Sequence, residues 1–289
     1  MTSELGTALV REEAITVRNG PVALGGTLLL PRQDAPCPGV VLVHGSGDDT
    51  RDDYRVFAQY FAERGIAALI YDKRGVGESS GTWRRGSFAE LAGDALAGVE
   101  ALAGQAGVDA ARVGLWGCSE GGWVVPLAAA RAPGVAFVVA VSAAGMSPAG
   151  QEQYRRGLLI AERGRSRLAR AWGQARVGAM FGILRHTPKP LLPGIAGYFS
   201  RTVDFDPLPV WRAVTQPVLL VYGTADRAVP PDESARLIAA ALRGAGHDDL
   251  TIERFAGADH GIQVRDEATG ERRFAPGYLA AVASWMLAR

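Results

Sequence analysis

Cysteine is almost absent. Cys37 and Cys118 are the only two in 289 residues, too few for a disulfide framework or a structural zinc site, so a reducing, cytoplasmic setting and no bound metal are expected. An excess of charge is missing too. Lys and Arg number 31 against 30 Asp and Glu, for a formal net charge of +1, and no global field draws the chain to nucleic acid or to an anionic membrane. No apolar run reaches the roughly 20 residues that span a bilayer. The opening MTSELGTALVREEA has no basic segment followed by an apolar one, so no secretory leader is expected. Histidine is scarce, at four residues, which leaves few candidates for acid–base chemistry. What is plentiful is hydrophobic residues, at 48%, and glycine, at 37; this is the composition of a folded globular chain.

The apolar runs are ordered. EAITVRNG and VALGGTLLLP, separated by Asn19-Gly20-Pro21, read as two strands joined by a turn. After Pro36 and Pro38 come GVVLVHG, IAALIYD, RVGLWG, VAFVVAVSAAG, PVLLVYG and LTIERF, continuous runs of the kind found in strands covered on both faces. Helical patterns lie between them, including SFAELAGDALAGVEALAG, a segment from Asp232 to Leu242 and a last helix from about Pro276. The alternation predicts an α/β fold with a mostly parallel central sheet and helices on both faces. It breaks once, between about 146 and 216. There Tyr154, Leu158, Ala161, Leu168 and Trp172 line one helical face, and Val177, Met180, Phe181 and Leu184 suggest a second helix. The expectation is one domain over 1–289 with a helical insertion at about 146–216.

Two stretches match G-x-S-x-G: Gly117 to Gly121 around Ser119, and Gly77 to Gly81 around Ser79. With this composition the pattern arises by chance about once in five such chains, so placement must decide. Reactive groups on parallel sheets gather at the carboxyl ends of strands. Ser119 stands there, between RVGLW and the apolar run VVPLAAA. A helix beginning at this point offers free N–H groups to a developing oxyanion. Ser79 leads into the polar GTWRRGS instead. A serine nucleophile needs a base and a group to orient it. Of the histidines, His44 ends a strand, His186 lies in the insertion and His247 in a GAGHDD turn, while His260 follows LTIERF in a loop, GADHG, at the same sheet edge. His260 is the candidate base, and Asp226, in GTADRAVP after PVLLVYG, the candidate acid. Asp72 precedes Lys73 and Arg74 and reads as part of a local ion pair. The glycine-rich HGSG loop places the Ser46 backbone N–H beside that of Glu120, the pair expected to form the oxyanion hole.

HGSG, YDKRGVGESSG, GCSEGG, LVYGTADRAVP and GADHG, in this order, make the chain resemble the α/β-hydrolase superfamily over nearly its whole length. It is similar in particular to capped serine esterases allied to the prolyl-oligopeptidase and dienelactone-hydrolase branches, in which DKRGVG follows the fourth strand. The resemblance implies Ser119 as nucleophile, His260 as base and Asp226 as orienting acid. It also implies a cap between the sixth and seventh core strands, and structural roles for Asp72 and Arg74. Glu120 departs from it, since many relatives carry a smaller or apolar residue after the nucleophile.

The function expected is a cofactor-independent serine hydrolase cleaving a small-molecule carboxylic ester through an acyl-enzyme. Alternatives are a thioesterase or acyltransferase with the same triad, or a non-catalytic binding protein on the same fold. Whether the chain forms a homo-oligomer is left open. From Gln151 to Pro190 nine basic residues stand against Glu152 and Glu162. This excess reads either as a solvated helix face or as a receptor for an anionic substrate group. On the second reading Arg165, seven residues beyond Leu158 on the apolar stripe, points toward the pocket.

Overall fold

The computed structural model describes residues 10–162, 167–187, 192 and 194–289, without the side chains of 161, 162, 167–170 and 174. Two long strands, β1 (Val10–Asn19) and β2 (Val22–Pro31), form the antiparallel hairpin turned at Gly20. Then β3 (Cys37–Val43), β4 (Ala67–Tyr71), β5 (Val108–Cys118), β6 (Val138–Val141), β7 (Val218–Gly223) and β8 (Leu250–Phe255) complete a sheet of order β1-β2-β4-β3-β5-β6-β7-β8. All pairings from β4 to β8 are parallel, so the carboxyl ends of six strands open on one edge.

The central strands are apolar at consecutive positions because both faces are covered. Val41, Leu69, Leu115 and Leu220 enter one core with helices α2 (Phe88–Ala103), α3 (Gly121–Ala129) and α8 (Pro231–Gly244). Their neighbours Val40, Leu42, Ala68 and Val221 enter a second core with α1 (Arg55–Ala62) and α9 (Tyr278–Leu287). This is the side-chain period of two read across a two-sided sheet. The start of α2 is written locally: Ser87 and Glu90 form a capping box, with the Ser87 backbone N–H donating to Glu90 Oε2 at 2.9 Å.

Between β6 and β7 the chain is helical: α4 (Pro148–Glu162), α5 (Arg167–His186), α6 (Gly194–Thr202) and α7 (Leu208–Arg212). Of the expected apolar stripe, Tyr154 and Leu158 belong to α4 and Trp172 to α5, while the side chains of Ala161 and Leu168 lie outside the described residues. The two helices pack so closely that a Cβ on Gly173 would come 2.5 Å from Ile160 Cδ1. Trp172 is 72% exposed, so the period counted from Tyr154 does not carry to it as one buried face. Val177 and Phe181 of α5 are buried with Ala149 and Val203, with Met180 and Leu184 packed beside them. A short hairpin, β9 (Gln263–Arg265) with β10 (Arg272–Phe274), follows β8 and was not expected from the sequence. Among the described residues no helix is long and apolar enough to cross a membrane.

Candidate active site

β5 passes into α3 through a turn in which Ser119 has φ +55°, a left-handed conformation that costs a non-glycine residue of the order of 1–3 kcal/mol. The surroundings hold it there. The Ser119 N–H donates to the Val141 carbonyl and the Gly122 N–H to the Ser119 carbonyl, each at 2.9 Å. A Cβ on Gly117 would lie 2.6 Å from the Gly121 carbonyl oxygen, and one on Gly121 would lie 2.8 Å from that of Val43. Both glycines are therefore required for the helix to start this close to the strand, and the turn lifts the Ser119 side chain into a cavity of about 610 Å³.

His260 lines the same cavity. Its loop, which follows β8, is drawn in by contacts from the ends of β7 and β6: the Ala225 N–H donates to the Ala258 carbonyl at 2.8 Å and the Ser142 hydroxyl to the His260 carbonyl at 2.9 Å. His260 Nδ1 donates to Asp226 Oδ2 at 2.8 Å. Asp226 is 3% exposed, and its other oxygen, Oδ1, accepts the backbone N–H groups of Ala228 and Val229 at 2.7 and 3.0 Å. The carboxylate is thus aimed by two backbone donors and has one oxygen left for the imidazole. Ser46 and Glu120 line the cavity beside Ser119, and among the described residues neither backbone N–H has an internal acceptor.

The Glu120 side chain has a partner that sequence reasoning missed. Lys73, 1% exposed, donates from Nζ to Glu120 Oε1 at 2.6 Å and to the Gly45 carbonyl at 2.8 Å, and lies 4.8 Å from the centre of the Trp83 ring. The Ser46 hydroxyl donates to Glu120 Oε2 at 3.2 Å. One ammonium group thus joins the HGSG loop to the residue after Ser119. The Tyr198 hydroxyl is pushed up by burial and then by the Glu120 carboxylate. The local ion pair expected of Asp72 is not formed with its chain neighbours. Asp72 meets Arg51 at 3.2 Å, while Arg74 binds both oxygens of Asp94 at 2.6 and 2.7 Å; three consecutive residues after a strand point in different directions.

The remaining candidates lie apart from the cavity's chemistry. The Ser79 hydroxyl is buried, donating to the Asp72 carbonyl at 2.6 Å and accepting from the Gly25 N–H at 3.0 Å. His44 is buried against the Tyr71 carbonyl, and His247 Nε2 bonds the Gln216 carbonyl at 2.8 Å. His186 is exposed at the end of α5. Arg165 lies outside the described residues; Arg155 and Arg156 of α4 line the cavity, both paired with Glu152. Among the described residues no group of three or more His, Cys, Asp or Glu side chains could hold a metal ion.

A six-stranded parallel core that gathers such side chains beyond its carboxyl edge is the architecture of the α/β hydrolases. Residues 40–272 match the model of the alpha/beta hydrolase family, and the chain belongs to that family. It is 28% identical over 233 residues to esterase EstD of Thermotoga maritima, which covers 74% of this chain and 52% of that protein. It is 36% identical over 126 residues to esterase FrsA of Citrobacter koseri, covering 43% of this chain and 29% of that one. The chain thus spans about half, or less, of the length of these relatives. An esterase of Pyrococcus furiosus superposes with a TM-score of 0.64 at 15% identity, covering 99% of this chain and 93% of that one, a likeness of fold.

Proposed function

We propose that this protein is a serine esterase that hydrolyses carboxylic esters through an acyl-enzyme. The observation that carries the reading is the 2.8 Å bond from His260 to the buried Asp226, with His260 and the strained Ser119 lining one cavity. His260 takes the Ser119 proton as Oγ attacks the ester carbonyl. The backbone N–H groups of Ser46 and Glu120 receive the oxyanion, and the Lys73–Glu120 pair keeps those two N–H groups in register. His260 then returns the proton to the leaving alcohol, and water repeats the sequence on the acyl-enzyme. Asp226 holds the imidazole in the tautomer that leaves Nε2 free to act. Helices α4 to α7 serve as a cap: Phe181, Leu184, Tyr198 and Phe199 line the cavity and shield the acyl-enzyme from bulk water. The relatives named as esterases support the reaction class.

The test is covalent labelling. A fluorophosphonate should phosphonylate the folded protein at Ser119, located by peptide mass spectrometry, and the same preparation should release nitrophenol from 4-nitrophenyl esters. Folded protein that neither labels nor turns over would overturn the reading in favour of a binding protein.

A further inference from the structure

Among the described residues three other than glycine have left-handed backbones: Ser119 at φ +55°, Ser142 at +50° and Ile262 at +54°. Each such residue costs of the order of 1–3 kcal/mol, and such strain gathers at functional sites, where the surroundings hold it. Ser119 is the nucleophile of the reading above. The other two frame the main chain of His260. Ile262 is β-branched, which makes it a rare occupant of this conformation, and it closes the turn that carries His260. Its N–H donates to the Asp259 carbonyl at 3.0 Å, and its carbonyl accepts the Ala275 N–H at 2.9 Å. Ser142 stands just past the end of β6 and is fully buried. Its hydroxyl donates to the carbonyl of His260, 118 residues further along the chain, at 2.9 Å. No other donor among the described residues meets that carbonyl.

The peptide unit between Val141 and Ser142 ties this hydroxyl to the nucleophile. Its carbonyl, from Val141, accepts the Ser119 N–H at 2.9 Å, and its N–H, from Ser142, donates to the Val221 carbonyl of β7 at 2.8 Å. A peptide unit is planar, so these two bonds fix it as one plate between β5 and β7. The next residue is closed in as well: a Cβ on Gly122 of α3 would come 2.5 Å from the Cβ of Ala143. From this anchored backbone the Ser142 side chain reaches the loop of His260. Asp226 holds the same histidine at Nδ1. One hydrogen bond to the ring sets its tautomer but lets the residue pivot about that contact. A second hold, on the carbonyl, fixes the main chain from which the ring projects. Building on the esterase reading, we propose that Ser142 is a positioning residue that sets the base against the nucleophile. Its left-handed backbone turns the hydroxyl toward the loop, and the hydroxyl keeps His260 Nε2 where it takes the Ser119 proton and passes it to the departing oxygen.

Two variants test it. Ser142→Ala removes the hydroxyl, and Ser142→Gly removes it while relieving the left-handed backbone. The readout is kcat/KM on three esters of hexanoic acid: 4-nitrophenyl, phenyl and ethyl. A 4-nitrophenolate departs with little need of a proton, whereas ethoxide must receive one from His260. In both variants kcat/KM should fall about threefold on the 4-nitrophenyl ester and at least about thirtyfold on the ethyl ester, a share of the roughly 10²- to 10⁴-fold that positioned proton transfer supplies. The phenyl ester should fall between them. Loss of folded protein alone would lower all three rates by one factor, and urea melts report the folded fraction. Should Ser142→Ala fail to fold, Ser142→Gly carries the same comparison. No loss in a folded variant, or a loss of equal size on all three esters, overturns the proposal. If Ser119 of the unmodified protein labels with fluorophosphonate, such a result sinks this inference alone; absence of both labelling and turnover sinks the esterase reading beneath it.

Discussion

Ser119, Ser79 and Cys118 are close in kind and opposite in circumstance. The Ser79 hydroxyl is committed to two backbone partners. Cys118, one residue before Ser119, has its thiol pushed up to about 12, by burial first and then by the carboxylates of Asp226 and Asp49; almost none is thiolate near neutrality. Only Ser119 opens into the cavity with His260. Ser119→Ala should therefore lower kcat by at least about 10³-fold without unfolding the protein. Cys118→Ala should keep kcat within about twofold, and Ser79→Ala should keep kcat while losing roughly 1–3 kcal/mol of stability from its broken buried bonds. Steady-state rates on a 4-nitrophenyl ester, with urea melts of each variant, check all three. The positions of Ser119, Asp226 and His260 were legible because each follows an apolar run broken by glycine or a polar turn, and such breaks mark strand ends. Lys73 was not legible. Its partner Glu120 is 47 residues away in sequence, and the adjacent Asp72 offered a nearer opposite charge that the strand end turns elsewhere.

At the scale of elements, the parallel sheet was legible because two-sided burial leaves continuous apolar runs that no exposed segment imitates. The insertion was legible as helical but not in its arrangement, since periodicity reports a face and not where one helix gives way to the next. The β9–β10 hairpin went unseen because its strands, Gln263–Arg265 and Arg272–Phe274, are three residues each and mostly polar or charged. What joins the elements around Ser119 is the Lys73–Glu120 pair, which ties the ends of β3, β4 and β5 together in one buried contact. Removing one member of such a pair leaves an unpaired buried charge and costs about 3–5 kcal/mol. Lys73→Met should be destabilised by that order. The double variant Lys73→Met/Glu120→Gln should recover most of the loss, because no charge is then stranded. Its kcat should nonetheless stay about ten- to a hundredfold low with KM little changed, since the Gly45 carbonyl is no longer held and the Ser46 N–H beside it drifts from the oxyanion. Full kcat in the stable double variant would show that the loop holds its place without the clasp.

For the whole molecule, the buried polar groups couple folding to pH, and His44 does so with a definite sign. It is 4% exposed at the end of β3, with its ring edge-on to Tyr54 and Tyr71 and its Nε2–H directed at the Tyr71 carbonyl. Burial first, and then the Lys73 ammonium, lower its pKa to about 3. In the unfolded chain a histidine titrates near ~6.5. Between these values the unfolded state binds a proton that the native state refuses, so stability is retained above about 6.5 and falls as the pH is lowered toward 3, by up to about 1.4 kcal/mol per pH unit. His44→Gln preserves an N–H donor for the Tyr71 carbonyl and removes the titration. Carboxylates destabilise both proteins alike in acid, and their effect cancels in the difference. Urea denaturation at pH 7.5 and pH 5 should show the native sequence losing about 2 kcal/mol more than the variant over that interval. Equal losses would mean that the His44 ring takes up its proton in the folded protein, which requires water or a carboxylate to reach it and would place an open path from solvent to the floor of the HGSG loop.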